Sequence, residues 1–281
     1  MSIEQKTRKI YNLIHNEQIN DLRSINRMMS TLKNSIIKNG LHNIIKNKIC
    51  ADFGCGNTGN GGKVLLNLKA SKVHFFDFDK SIKKPLLKKF KKEKSKIEIN
   101  FGNIKKTGFK NKYFDFILCQ GVIHHINKDE LAFKEIHRIL KKRGYLYFDV
   151  QGEGGLVTEF FNKILRKKYK ENKFYKKTLN QILLKKKVYL NILKRDLNKS
   201  EIKILYKVAS YFDDDFFLTL RDRILSPIYR CYNEEKLKKK LKKIGFRTIY
   251  RIKREPKFRN IRKLISPLYY DYKSDLSRLL F

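Results

Sequence analysis

The stretch from Ile49 to Gly62, Ile-Cys-Ala-Asp-Phe-Gly-Cys-Gly-Asn-Thr-Gly-Asn-Gly-Gly, constrains this chain more than any other. A short apolar run, Ile49 to Ala51, ends on Asp52. Gly54, Gly56, Gly59, Gly61 and Gly62 then fall within nine positions of a chain that has only 14 glycines. Glycine tolerates positive φ and lets a backbone come close to a ligand. Leu65, Leu66 and Leu68 follow and can share one face of a helix. Strand, glycine turn and helix, in that order, make the crevice in which an open α/β sheet holds a nucleotide.

The residues after the turn continue the pattern. Lys72 to Phe76 is a second apolar run closed by Asp77, which lies 18 residues past Gly59. An acid at that separation, at the tip of the second strand, suits the hydroxyls of a cofactor ribose, and Phe78 is placed to lie along the adenine. Asp79 reads as the cap of the next helix. Ile97 to Phe101 alternates as a third strand ended by Gly102-Asn103, Tyr113 to Cys119 is a fourth, and Gln120 to Ile126 follows it directly. A helix over Leu131 to Leu140 with Gly144 as its C-cap, then a fifth strand over Tyr145 to Val150, complete an alternation that predicts a parallel sheet with crossover helices.

Outside this core the chain is helical. Ile10, Leu13 and Ile14, and then Met28, Met29, Leu32, Ile36 and Ile37, recur at helical spacing before the first strand. After Val150 some eighty lysine-rich helical residues intervene, in which Phe160, Phe161, Ile164 and Leu165 are expected to be buried and Arg166 to face water. Asn233 caps a last helix, and Arg247 to Ile252 reads as a sixth strand; no seventh is legible in 254–281. The expected organisation is therefore 1–47, an N-terminal helical segment; 48–150, the nucleotide-binding core; 151–232, a helical lid or acceptor-binding cap; 233–253, the last core helix and strand; and 254–281, an amphipathic tail.

Composition matters at two points. With 66 Lys and Arg against 27 Asp and Glu the net charge is +39, which invites a nucleic-acid reading. Lys far exceeds Arg, Trp is absent, and Ile, Asn, Phe and Tyr are abundant, the profile of an AT-biased coding sequence, so a compositional origin is preferred and an anionic partner is the alternative. The four cysteines, Cys50, Cys55, Cys119 and Cys231, form no C-x-x-C pair, which points to a reducing compartment rather than a disulfide or zinc framework. No apolar stretch reads as a signal peptide or a bilayer span, and a cytoplasmic location is expected.

Gly54-x-Gly56-x-x-Gly59 also satisfies the dinucleotide fingerprint, so the glycines alone do not choose the cofactor. Asp52 does more. A carboxylate two positions before the first glycine repels a pyrophosphate, whereas S-adenosylmethionine has no phosphate and carries a sulfonium and an ammonium. Here the chain resembles the Rossmann-like (class I) S-adenosylmethionine-dependent methyltransferases, in particular the type 11 group, over about 49–150 and again over 233–252. The resemblance rests on Asp52 to Gly59, Asp77, Gly102-Asn103, Phe114-Asp115, Val122 to Ile126, Glu135 with Arg138, and Lys141 to Gly144, in that order.

The resemblance implies a doubly wound, mostly parallel α/β sheet and S-adenosylmethionine as cofactor. It puts the methionine and ribose on the turn carrying Asp52, Gly54, Cys55, Gly56 and Gly59, the ribose hydroxyls on Asp77, the adenine faces on Phe78 and Ile104, and the methionine part beside Gln120. Asn103 stands where the family has Asp, and its carbonyl oxygen still accepts from an adenine amino group. His124 and His125, after the fourth strand, are candidates for a general base and equally for residues that fix the loop; Glu153, Tyr229 and Tyr232 are weaker candidates. The Asn/Asp-Pro-Pro-aromatic loop of base-amine methylation and a Pro-Cys nucleophile are both absent. The expected acceptor is a small molecule, lipid or sugar intermediate. The alternative is RNA, bound through the basic surface.

Overall fold

The protein was studied as a computed structural model, which describes residues 3–18, 22–153, 159–184, 191, 193–212, 216–252, 261 and 279–280. Asp213 to Asp215, Phe161 as a side chain, and Phe258, Leu264 and Ile265 of the tail fall outside what is described. The chain forms two compact units. The sheet unit comprises His15–Gly152, Arg230–Arg254 and Leu276–Phe281; the helical unit comprises Met1–Ile14, Glu153–Tyr229 and Glu255–Asp275.

In the sheet unit β1 (Ile49–Phe53), β2 (Lys72–Asp77), β3 (Ile97–Phe101), β4 (Phe114–Cys119), β5 (Leu140–Phe148), β6 (Tyr250–Arg251) and β7 (Leu279–Leu280) stand in the order β3-β2-β1-β4-β5-β7-β6. The first five are parallel, and β7 runs antiparallel to β5 and β6. Because β1, β2 and β4 are apolar almost throughout, both faces of the sheet must be covered. One face buries Phe53, Phe76, Ile117 and Phe148 against α5 (Asp129–Ile139) and α9 (Glu234–Ile244). The other buries Phe75, Phe116, Leu118 and Tyr147 against α2 (Leu22–Lys38), α3 (Asn60–Asn67) and α4 (Lys83–Lys89). The result is a doubly wound sheet whose strand order reverses between β1 and β4, the place where such sheets open a ligand crevice at their carboxyl ends.

Three expectations are corrected. β5 begins at Leu140, so α5 is not followed by a capped turn and Gly144 lies inside the strand. Lys141, which reads as part of a turn, binds Asp115 of the neighbouring strand at 2.9 Å, and a Cβ on Gly144 would sit 3.0 Å from the Phe114 carbonyl where the β4–β5 register shifts. A seventh strand exists at Leu279–Leu280, while β6 spans only Tyr250–Arg251.

The third correction concerns the helical unit. Phe160 and Ile164 are each 46% exposed, and Arg166, expected outside, is only 7% exposed. Residues Phe160–Leu165 form a π-helical turn, whose wider winding rotates everything after it out of the 3.6-residue phase on which the expectation rested. Arg166 then points inward and donates to the carbonyls of Arg223 (2.8 Å) and Pro227 (3.1 Å) beyond the end of α8 (Phe216–Leu225). Arg221 is also buried and donates to Leu183 O at 2.6 Å. In the same unit the Tyr11 hydroxyl, on α1 (Ile3–Gln18), donates to Asp222 and lies 3.2 Å from Ser226 Oγ. Burial pushes that phenol up.

Candidate cofactor and active site

The glycine turn bends sharply because three of its residues take the left-handed conformation: Gly54, Gly56 and Gly59 have φ of 72°, 58° and 53°. Gly54 N donates to Phe76 O at 2.7 Å, which ties the turn to β2, and Gly59 N donates to Cys55 O at 3.1 Å. Lys89, from α4, reaches across to Thr58 O and to Asn60 Oδ1 at 3.0 Å. Gly62 is required for packing, since a Cβ there would lie 2.0 Å from Phe75 Cε1.

Asp52 sits beneath this turn. Its Oδ2 accepts from Gly62 N at 2.6 Å, so the carboxylate meets the positive end of α3. Burial pushes its carboxyl up to about 7; the Gly62 amide opposes the shift, Asp77 adds to it, and Lys89 opposes it. Asp77, at the tip of β2, accepts from Gly56 N and Asp79 N, both at 3.0 Å, and burial raises its carboxyl as well. Each carboxylate oxygen can accept a second bond, so these contacts orient Asp77 without exhausting it. Asp79 accepts from Ser81 N at 3.0 Å, as its reading as a cap requires.

The parallel register gathers the other expected residues. Asp77 pairs with Phe101, which brings the β2 tip beside Asn103 and Ile104; Asp52 pairs with Leu118, which brings β1 beside Gln120. Phe78 and Asn103 are exposed, Ile104 is half-buried, and Asn103 Oδ1 accepts from Lys105 N at 3.0 Å. Gln120 Nε2 donates to Asp149 Oδ2 at 3.2 Å, and Gly121 N to Asp149 Oδ1 at 2.5 Å. A Cβ on Gly121, where φ is 67°, would meet nothing within 4 Å, whereas one on Gly54 would lie 2.2 Å from Val122 Cγ2. The loop after β4 thus packs on the glycine turn at Val122 and is open at Gly121. Cys55 is buried and its thiol pushed up by that burial, so it contributes shape rather than reactivity.

His124 and His125 lie on the 3-10 turn Ile123–His125, with ring centroids 3.9 Å apart. His124 is buried and His125 half-buried. Their loop is held by a carboxylate that sequence reasoning missed. Asp129 accepts from Arg230 (3.0 Å), Tyr232 (3.1 Å) and Lys240 (3.0 Å), while Arg230 N donates to His124 O at 3.0 Å. The only local signal is an acid in the first turn of a helix. Tyr232 is thereby removed as a base: burial and the bond to Asp129 push its phenol far up. Glu153 and Tyr229 belong to the helical unit.

Glu135 and Arg138 pin the segment after β3. Glu135 Oε1 accepts from Thr107 N (2.7 Å) and Thr107 Oγ1 (2.6 Å), and Arg138 binds both Glu135 oxygens and Phe109 O (2.9 Å). The Arg138 bond, foremost, holds the Glu135 carboxyl down at about 2.

One buried atom marks where a ligand fits. Asn57, in the middle of the glycine turn, donates from Nδ2 to Asn16 Oδ1 at 3.2 Å, but among the described residues its buried Oδ1 accepts nothing. Such an oxygen is costly unless something donates to it. An ammonium-bearing nucleoside satisfies it, and the acids and exposed glycine around it match that ligand's charge and shape.

Residues 51–148 match the family model described as a methyltransferase domain. A protein of Methanocaldococcus jannaschii, itself uncharacterized, is 32% identical over 160 residues, which are 57% of this chain. The chain spans 59% of the length of that curated relative. Among solved structures, an arsenic(III) S-adenosylmethionine methyltransferase from Chlamydomonas reinhardtii is similar over 37% of this chain and 39% of its own, with 19% identity and a TM-score of 0.35. The PH0226 protein from Pyrococcus horikoshii is similar over 44% and 57%, with 24% identity and a TM-score of 0.38. For the YcgJ protein from Bacillus subtilis the shares are 43% and 53%, the identity 23% and the TM-score 0.36.

Proposed function

We propose that this chain, whose residues 51–148 are a methyltransferase domain of the S-adenosylmethionine-dependent, type 11 kind, transfers a methyl group to a small-molecule, lipid or sugar acceptor. The observation that carries the reading is the gathering of the Gly54–Gly59 turn, Asp77, Asn103 and the Gln120–Gly121 opening at the strand ends on either side of the β1–β4 reversal. When bound, S-adenosylmethionine supplies an electrophilic methyl on a sulfonium. The protein supplies alignment, and in-line transfer draws much of its rate from that.

Each residue then has a task set by its surroundings. Asp77, oriented by the Gly56 and Asp79 amides, accepts from the ribose hydroxyls with its remaining lone pairs. Phe78 and Ile104 cover the adenine faces, and Asn103 Oδ1 accepts from the adenine amino group. Gln120, fixed by Asp149, flanks the methionine part, and Asn57 Oδ1 accepts from its ammonium. Asp52 holds Gly62 and so the α3 end of the turn, and its negative form favours a cationic ligand. His124 and His125 stand on the rim; one of them takes a proton where the acceptor must lose one, and neither is needed where it need not.

Calorimetry with S-adenosylmethionine, S-adenosylhomocysteine and NAD tests the reading. The two sulfur nucleosides bind and NAD does not, and Asp77→Ala weakens both by at least about tenfold, the loss of roughly one charge-assisted bond. Binding of NAD alone, or an Asp77→Ala variant with unchanged affinity, rejects it.

A further inference from the structure

Helix α7 (Lys199–Phe212), in the helical unit, carries its apolar side chains outward. Ile204 is 61% exposed, and Leu205 and Val208 are each 45% exposed. At 3.6 residues per turn these three fall within an arc of about 100°. On one side the arc is bordered by Ala209 and Ile202, which are half-buried and seat the helix on its unit. On the other it is bordered by Lys207 and Lys203, both exposed. Glu201 lies at the same angle but is turned back to the start of the helix, where it accepts from Asn198 N at 2.7 Å.

We propose that this stripe is a docking face for an anionic lipid surface, with Ile204, Leu205 and Val208 entering the headgroup–acyl boundary and Lys203 and Lys207 meeting the phosphates. An apolar face edged by lysines on an otherwise polar helix lies in the plane of a bilayer interface, held by apolar burial and by attraction to anionic lipid together. Lysine stems reach along the apolar layer while their ammonium groups stay in the headgroups. Charge selects this occupant. A second copy of the same face would bring lysine rows and two chains of net charge +39 together, whereas an anionic surface neutralises both. Aliphatic side chains offer no platform for base stacking, which sets the stripe apart from a single-stranded RNA site. Among the described residues nothing covers it, and no helix is long and apolar enough to cross a membrane, so contact is from the surface.

Flotation of the full chain with phosphatidylcholine vesicles, with and without phosphatidylglycerol, tests the assignment without cofactor or turnover. Its result is therefore independent of whether the chain is a methyltransferase. Binding is expected only to the anionic vesicles, to fall as salt rises, and to drop at least about tenfold in the double variant Ile204→Asp, Leu205→Asp. Phe174→Ser, another exposed apolar residue of the unit, leaves it unchanged. The chain has no Trp, so Leu205→Trp places a single fluorophore in the stripe, whose emission shifts to the blue on addition of anionic vesicles. Any of four results overturns the proposal: no flotation with anionic lipid, equal flotation of the double variant, no shift at residue 205, or a stripe that mediates self-association or RNA retention in place of vesicle binding.

Discussion

In the sheet unit Phe53, Phe75, Phe76, Phe114 and Phe116 are all buried between helices, and apart from Asp52, Asp77 and a few like them the charged groups face water. In the helical unit Phe160, Ile164, Phe174, Ile204 and Leu205 face water, while Arg166, Arg221 and Arg223 are buried. Its apolar cluster consists of Leu183, Ile224 and Leu225 with partly buried neighbours such as Ile10, Leu165 and Tyr169. The two units are thus held by different forces. Area removed from water organises the first, at about 25 cal/mol per Å². Geometry organises the second, because a buried guanidinium is tolerated only when its donors are satisfied. Arg166 meets that condition by taking up carbonyls at and beyond the C-terminal end of α8, which the helix cannot satisfy itself.

Phe75→Ala attacks the first mode directly. It empties the space against which Gly59 and Gly62 pack, should cost about 3–5 kcal/mol, and should abolish cofactor binding along with stability. Thermal unfolding with and without S-adenosylmethionine measures both, and a loss confined to one of them would contradict the packing account. Arg166→Met attacks the second mode, at about 2–3 kcal/mol. Its cost should appear in denaturant unfolding while the affinity for S-adenosylhomocysteine stays within about twofold, a change of under half a kcal/mol. A variant as stable as the parent would mean that the carbonyls near α8 find other donors.

Smaller perturbations sharpen the contrast inside the sheet unit. Glu135→Gln removes the charge that holds Thr107 and Arg138 together and should loosen the segment after β3. Calorimetry should register about 1 kcal/mol, or roughly fivefold, in cofactor affinity. An unchanged affinity would show that the segment is fixed without that charge.

Titration of Asp52 is the smallest effect. Its folded carboxyl lies at about 7, above the usual carboxylate value, so the folded state holds the proton more tightly than the unfolded one. The stabilisation from that proton is complete below the unfolded value and is lost as pH rises through about 7. The cofactor-free melting temperature should therefore fall between about pH 5 and pH 8, and Asp52→Asn should flatten the slope. Glu135 has the opposite sign: held at about 2, it stabilises above the usual carboxylate range and is lost only as pH falls towards 2, outside that window. A parent protein whose melting is flat across the window would remove Asp52 as the titrating group.

What the sequence made legible follows the same division. Apolar runs, glycine spacing and the acids that end strands depend on near neighbours, so β1 to β4 and the turn at Gly54–Gly59 could be placed to within a residue or so. Three features could not. β7 is two residues long and exists only through pairing with β5 and β6, far away in sequence. The first half of β5 carries Lys141, Lys142 and Arg143, and its strand character depends on Asp115 across the ladder. Asp129 is a hub because Arg230, Tyr232 and Lys240, about a hundred residues on, converge on it. In the helical unit periodicity misled outright, since a π-helical turn at Phe160–Leu165 changes the phase by which inside and outside are told apart.

Gly152 and Tyr232 form an isolated parallel bridge, and Tyr232 N donates to Gln151 O at 2.8 Å. The backbone therefore leaves the sheet unit and re-enters it at adjoining points, with Tyr232 riveted to Asp129 just beyond. A segment whose two ends are clamped side by side can be lengthened, shortened or exchanged without altering the pairing of any strand. The acceptor preference of such a protein can then diverge quickly between lineages, through changes between residues 152 and 232, while the machinery that holds the methyl donor stays almost still.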